Sequence, residues 1–266
     1  MSVAIVIPAR FASSRYPGKP LVPLKGASGK SQSLIERSWR AAMEVSGIDR
    51  VVVATDDARI QDAAQAFGAE VVMTSSDCAN GTERCAEAHE KLGGAFEIVV
   101  NLQGDAPLTP SWFLEDLIAG LRADRDAMVA TPVLKTDGAA LNGFLEDRRN
   151  GRVGGTTVVF DRHRHALYFS KEVIPFMAGT YSNSVETPVY HHVGVYAYRP
   201  GPLADYAGWT PGPLESLEGL EQLRFLENGH SVLCIEVDAR DRQFWELNNP
   251  EDVPRLEGMM KDMGIE

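Results

Sequence analysis

The sequence predicts an α/β protein built on a doubly wound, mostly parallel sheet. Two observations predict it. Short apolar runs rich in β-branched side chains read as buried strands: Val3 to Ile7, Val51 to Ala54, Glu70 to Met73 and Ile98 to Leu102. Between them lie stretches with helix-start and helix-stop signals, so that strand and helix alternate as in parallel sheets.

The elements follow in order. Val3 to Ile7 runs into the loop Pro8 to Leu21, in which Arg10, Arg15 and Lys19 fall within ten residues, with Ser13, Ser14 and Gly18 among them. A loop leaving the carboxyl end of a parallel strand is where α/β sheets bind ligands. Backbone N–H groups and fixed cations there suit a polyanion such as a triphosphate, and this reading is preferred to a solvated basic loop. Ser33 and Glu36 have capping-box spacing for a helix to about Ser46, with Leu34, Ile35, Trp39, Ala42 and Val45 inward and Gly47 as its stop. Asp56 and Asp57 can cap a second helix that ends at Phe67 and Gly68. Asn80-Gly81 reads as a turn, with Thr82 as cap of a third helix reaching His89 to Lys91.

The Ile98 to Leu102 strand delivers Gln103-Gly104-Asp105-Ala106-Pro107. An aspartate here can ligate Mg²⁺ between nucleotide phosphates. It can equally be a turn or N-cap residue, and this stretch alone does not choose. Thr109 and Pro110 open another helix, and Met128 to Val133 is strand-like.

Asp137 to Gly155 is polar and aperiodic and reads as a connection into a more antiparallel part. There Thr156 to Phe160, Ala166 to Phe169 and Val189 to Tyr198 read as strands. His191 and His192 are adjacent, so they face opposite sides of a strand and at most one can reach a pocket. Leu214 to Asn228 reads as one helix with Leu217, Leu220, Leu223 and Leu226 inward. Ser231 to Val237 is the last strand, and Glu251 to Met263 the last helix, with Asn248 or Asn249 near its cap and Pro250 early in it. The expected organisation is a single domain over 1–266. Residues 1–136 and 230–266 form its nucleotide-binding core, and about 137–229 a smaller part.

Composition narrows the function. The net charge of −11 argues against nucleic acid as a partner, which demands clustered basic surface. The N-terminal apolar run is too short for a membrane span and lacks the basic region of a signal peptide. The cysteines, Cys78, Cys85 and Cys234, are odd in number and without metal-ligand spacing, as expected of incidental thiols in a cytoplasmic protein. A Walker loop is excluded by Ser13 and Pro20, where glycine and Ser or Thr are required. No Gly-x-Gly-x-x-Gly occurs, which removes a dehydrogenase, and metal hydrolase chemistry lacks a ligand cluster.

An ordered set of motifs completes the reading. Ile7-Pro8-Ala9-Arg10, Arg15 to Leu21, Val53-Ala54-Thr55-Asp56, Gly81-Thr82-Glu83-Arg84 and Asn101 to Asp105 come first. Ala166 to Ser170, His192 to Tyr196, Leu220 to Arg224 and Asn249 to Asp252 follow. Together they resemble the 3-deoxy-manno-octulosonate cytidylyltransferase (CMP-Kdo synthetase) family over nearly the whole chain. The resemblance implies a Rossmann-like nucleotidyltransferase fold, with the smaller antiparallel part used for sugar binding and dimerisation, and a homodimer. It implies CMP transfer from CTP to the anomeric hydroxyl of Kdo, with Mg²⁺, for lipopolysaccharide or capsule synthesis. By matching position it makes Arg10, Arg15, Lys19 and Asp105 catalytic. Pro8, Ala9, Arg10, Lys19, Thr55, Asp56, Gly81, Thr82, Arg84 and Gln103 would contact nucleotide. Gln103, Tyr190, His192, Glu221 and Gln222 would contact the sugar acid, and Asp105 and Asn248 the metal.

Three positions depart from the family pattern: Ala106 replaces a glutamate, Thr157 a lysine, and Asn248 a metal-binding aspartate. They keep two alternatives open, the same chemistry on a related or amino-modified sugar acid and a catalytically weak nucleotide-binding relative.

Overall fold

The computed structural model describes residues 2–12, 16–105, 107–153, 155–179, 181–240, 242 and 245–266. In chain order the elements are β1 (Val3–Ala9), β2 (Pro23–Lys25), β3 (Ser31–Ser33), α1 (Leu34–Met43), β4 (Arg50–Thr55), α2 (Ala58–Ala66), β5 (Glu70–Met73), α3 (Gly81–Lys91), β6 (Ile98–Leu102), α4 (Ser111–Ala123) and β7 (Val129–Asp137). Then come α5 (Gly138–Arg149), β8 (Thr156–Phe160), β9 (Ala166–Ser170), β10 (Glu186–His192), β11 (Val195–Tyr198), α6 (Pro200–Tyr206), α7 (Pro213–Glu218), α8 (Leu223–Glu227), β12 (Val232–Glu236) and α9 (Asp252–Met263). Two compact units result. One comprises 1–115, 198–207 and 239–266; the other, 116–197 and 208–238. These boundaries differ from those expected at 136/137 and 229/230, because β7 pairs with both β10 and β12 and so joins the second unit.

The first unit has the parallel sheet that the apolar runs predict. β1 is buried along its whole length. It pairs in parallel with β4, from Ala4 opposite Arg50 to Ala9 opposite Thr55, and with β6, from Val3 opposite Ile98 to Val6 opposite Asn101. β5 extends the sheet beyond β4. Helix starts are set by short polar side chains that accept otherwise unpaired N–H groups of the first turn. Ser33 accepts from Glu36 N–H, Asp57 from Arg59 N–H and Asn80 from Glu83 N–H. The cap of α3 is therefore Asn80 and not Thr82.

A second apolar cluster lies under the C-terminal helix, where Val22, Leu24, Leu34, Leu108, Leu247, Leu256 and Met260 are buried together. The helix begins at Asp252, so Pro250 lies in the preceding turn and not within it. Asp252 closes that turn, accepting from Trp245 Nε1 at 2.9 Å and from the Asn248 and Asn249 N–H groups at 2.9 and 2.7 Å.

In the second unit β7, β10, β8 and β9 pair antiparallel in succession, and β12 runs parallel to β7. Three sequence expectations are corrected here. Asp137 to Gly155 is largely the helix α5, capped by Asp137 Oδ1 on Ala140 N–H. It presents little apolar periodicity because Gly138 and Leu141 are its buried residues. The run from Val189 to Tyr198 is two strands, β10 and β11. The single helix expected over 214–228 is two, because Gly219 ends the first with φ +61°, a left-handed backbone that glycine adopts without strain. Leu217 consequently points outward and is 84% exposed.

α7 and α8 are joined through a buried ion pair, with Arg224 donating from Nε and Nη2 to the two carboxylate oxygens of Glu215, each at 2.7 Å. Removing one partner of such a pair leaves an uncompensated buried charge. Glu215→Ala is therefore expected to destabilise the protein by about 3–5 kcal/mol, measured by urea unfolding; a loss under 1 kcal/mol would show that the Arg224 charge finds water.

Candidate active site

The loop after β1 is shaped by its own backbone. Gly18 takes φ +73°, its N–H donates to Phe11 O at 2.9 Å, and a single 3-10 turn follows over Lys19–Leu21. This turn directs Lys19 Nζ to Asp105 Oδ2 at 2.9 Å. The Lys19 side chain is 15% exposed and that of Asp105 30%, so the pair is open on the Asp105 side. Lys19 and Asp105 are 86 positions apart in sequence; they meet because both follow neighbouring parallel strands at the same edge of the sheet. Arg10 is exposed at the end of β1, with Pro8 and Ala9 buried before it. Arg15 and Ala106 lie outside the described residues.

The other nucleotide candidates gather at the same edge. Arg84 is 3% exposed and meets the Thr74 hydroxyl and, at 3.3 Å, Asp56 Oδ1. The latter contact is ionic without hydrogen-bond geometry, because Asp56 Oδ1 is a buried acceptor lacking a donor. Thr55 is fully buried and its hydroxyl accepts Asp57 N–H. Gly81 has a spatial reason to be glycine: a Cβ there would stand 2.6 Å from Gln103 Nε2. Thr82 is 1% exposed, and its hydroxyl lies 2.8 Å from that of Tyr198.

Asn248 reaches this neighbourhood through the turn before α9, since Leu247 N–H donates to Asp105 O at 3.0 Å. Its own Nδ2 donates to Glu246 Oε2 at 3.3 Å. Among the described residues, no three His, Cys, Asp or Glu side chains group as a metal site. A carboxylate and an amide oxygen are nevertheless hard donors of the kind Mg²⁺ takes beside phosphate oxygens, for which one or two carboxylates suffice. The residues present fit such an ion.

The candidates for sugar binding lie in the second unit, apart from Gln103. His192 is buried among aromatic rings, with Phe169 at 5.0 Å and Tyr196 at 5.5 Å between centroids. Tyr196 donates its hydroxyl to Gln222 Oε1 at 3.0 Å. The Nε2 atoms of both His192 and Gln222 are buried without a partner, an unusual demand in a folded interior. Glu221 precedes Gln222 in the turn before α8 and is partly buried. Tyr190 packs on Phe160 at 4.7 Å. His191 turns to the other strand face, against Phe144 of α5 at 5.2 Å. Thr157 is buried, its hydroxyl held between Glu172 O at 2.7 Å and Ile174 N–H at 3.1 Å.

With this geometry, the comparisons with known proteins are decisive. Residues 4–237 match the cytidylyltransferase family model. The chain belongs to the cytidylyltransferase family. It is 46% identical over 264 residues to the 3-deoxy-manno-octulosonate cytidylyltransferase of Maricaulis maris, covering 99% of each chain. With the enzyme of that name from Zea mays it shares 39% identity over 98% of this chain and 82% of the relative. A solved CMP:2-keto-3-deoxy-manno-octonic acid synthetase complexed with CTP superposes with a TM-score of 0.83 at 32% identity, over 99% of this chain and all of that one. The fold is thus the Rossmann-like nucleotidyltransferase fold, and the protein is a nucleotidyltransferase of the 3-deoxy-manno-octulosonate cytidylyltransferase family. Among the described residues no helix is long and apolar enough to cross a membrane.

Two features of this cytidylyltransferase escaped the sequence reading. Asn80 and Glu83 stand at capping-box spacing, so the helix start was readable there. Tyr198 and Tyr206, which meet Thr82 and Asn80, carry no local signal at all.

Burial pulls the His192 imidazole down to about 3, with His191 adding a smaller repulsion, and burial alone pulls His191 down to about 4. Both stay neutral in the folded protein while the unfolded chain takes up protons near about pH 6.5. The unfolded state then binds more protons, so stability present above that pH is lost as pH falls toward the folded values. His192→Gln is expected to flatten the decline in urea midpoint between about pH 6.5 and 4.5; a decline as steep as the wild type's would remove His192 from its cause.

Proposed function

We infer that the protein transfers CMP from CTP to the anomeric hydroxyl of Kdo and releases pyrophosphate, supplying an activated sugar acid for lipopolysaccharide or capsule synthesis. The observation that carries this is the Lys19–Asp105 pair at the carboxyl edge of the parallel sheet, in a chain related along its whole length to enzymes named for that reaction. Each member of the pair neutralises the other until a ligand of mixed charge replaces both. A triphosphate takes Lys19, together with Arg10 and Arg15. Asp105 and Asn248 would hold Mg²⁺, which supplies charge neutralisation on the phosphates when bound.

The chemistry needs little covalent help. The sugar hydroxyl attacks the α-phosphorus in line, and pyrophosphate leaves with its charge met by fixed cations. Pro8, Ala9, Thr55, Asp56, Gly81, Thr82, Arg84 and Gln103 line the nucleotide's place in this reading. Thr55 and Thr82 act through their backbone, because their side chains are buried. The unmet Nε2 atoms of His192 and Gln222 support recognition of a polyhydroxylated acid, to which Tyr190, Glu221 and Gln103 add polar groups. A related or amino-modified sugar acid is the second reading. It is favoured by Thr157, whose hydroxyl is consumed locally and which places no cation where the family pattern has lysine. The intact Lys19–Asp105 pair speaks against an inactive relative.

A homodimer formed through the second unit is part of the same reading, supported by Phe176, Leu217 and Leu167, which are 92, 84 and 64% exposed. Sedimentation should give twice the chain mass for the wild type and a shift toward monomer for Phe176→Ser; a monomeric wild type would end this part of the reading.

The function is tested by pyrophosphate release from CTP and Mg²⁺ with Kdo and then with related and amino-modified acids. Release with Kdo is the expected result, and release only with another acid moves the substrate while keeping the mechanism. Lys19→Ala should lower kcat/KM by about 100- to 1,000-fold, the usual cost of one stabilising donor. Unchanged kinetics in that variant would undo the assignment of the loop.

A further inference from the structure

The start of α3 carries Gly81, Thr82 and Arg84, so its position fixes a whole side of the nucleotide candidates. The segment 198–207 belongs to the first unit, although it is covalently flanked on both sides by second-unit chain, and its helix α6 packs along α3. Each end of this segment sends a tyrosine hydroxyl to the first turn of α3. Tyr198 meets the Thr82 hydroxyl at 2.8 Å, and Tyr206 accepts from Asn80 Nδ2 at 3.2 Å. Both tyrosines are fully buried.

The Tyr198 hydroxyl also links α3 to β6. Asn101 Nδ2 approaches it at 3.4 Å, while Asn101 Oδ1 stays buried without a partner. Asn101 lies two residues before Gln103, whose amide occupies the space left by the missing side chain of Gly81. One hydroxyl thus joins the helix start and the strand that together frame Gln103. The Asn80 side chain meanwhile accepts from Glu83 N–H at 2.9 Å, so Tyr206 steadies the cap of the same turn.

We propose that Tyr198, seconded by Tyr206, is a positioning residue for the nucleotide. By holding Thr82 and Asn101 it fixes the α3 turn against the end of β6, so that CTP meets a preformed site. This rests on the nucleotide-binding reading given above. Neither tyrosine is assigned a contact with CTP; the effect passes through Thr82, Asn80 and Asn101. A preformed site binds more tightly because ordering it costs nothing at the moment of binding.

The test separates positioning from mere stability. Tyr198→Phe deletes the hydroxyl that Thr82 and Asn101 Nδ2 meet, which should lower the melting temperature and weaken CTP binding in calorimetry about five-fold, the equivalent of one net hydrogen bond. The KM for CTP should rise by the same factor while kcat at saturating CTP stays unchanged. Thr82→Val with Tyr198→Phe replaces the hydroxyl pair by apolar groups while leaving Asn101 Nδ2 as in the single variant, which should recover part of the lost melting temperature and also serves if the single variant folds poorly. Positioning requires CTP affinity to stay weakened in this double variant despite the partly recovered melting temperature. Affinity that recovers together with stability, or a Tyr198→Phe protein with wild-type KM, overturns the inference. Wild-type protein that binds no CTP overturns the nucleotide reading and this inference with it; normal wild-type binding with an unaffected Tyr198→Phe overturns the inference alone.

Discussion

A parallel strand cannot return to its neighbour through a tight hairpin, and the first unit is built around that restriction. β1 is buried along its length and paired in parallel on both sides. Each pairing therefore requires a crossover, and each crossover begins at the same edge of the sheet. The loop after β1, the Asp56 turn after β4 and the Gln103-to-Asp105 turn after β6 are brought together by this rule alone. Residues far apart in sequence then meet without any attraction of their own having to assemble them.

Electrostatics completes what topology begins. The protein is acidic overall, yet two cations at this edge are held close to carboxylates, Lys19 on Asp105 and Arg84 beside Asp56. A cation held near a carboxylate is fixed in place before any phosphate arrives. In the second unit the preparation is of the opposite kind. His192 and Gln222 are neutral, buried, and each left with an unmet nitrogen, so what this part offers a partner is hydrogen-bond geometry and not charge.

How far the sequence disclosed this depended on whether a feature was local. β6 has the predicted limits because a fully buried strand is an uninterrupted apolar run, and β5, only half-buried, has them because its Val71-Val72 pair is set off by polar and glycine neighbours. α5 was unreadable because it buries so little of its surface that no apolar period arises. The leucines of 214–228 invited a single helix, but Gly219 is a stop that the apolar spacing concealed, and Leu217 ends up facing outward. At the candidate site the cationic loop and Asp105 were legible from their place after apolar runs. The Lys19–Asp105 contact and the tyrosine bonds to α3 were not, since they join segments that composition cannot relate. Asn248 was singled out by resemblance alone, and its place beside Asp105 follows from the packing of α9 and the Asp252 clasp.

The division of the chain has a consequence for inheritance. The backbone passes between the two compact units four times, at 115/116, 197/198, 207/208 and 238/239. Neither unit is therefore a continuous piece of gene. A single recombination event cannot graft either onto another protein, nor can one truncation remove either cleanly. Each unit keeps its composition only if the segments between these four passages are exchanged together.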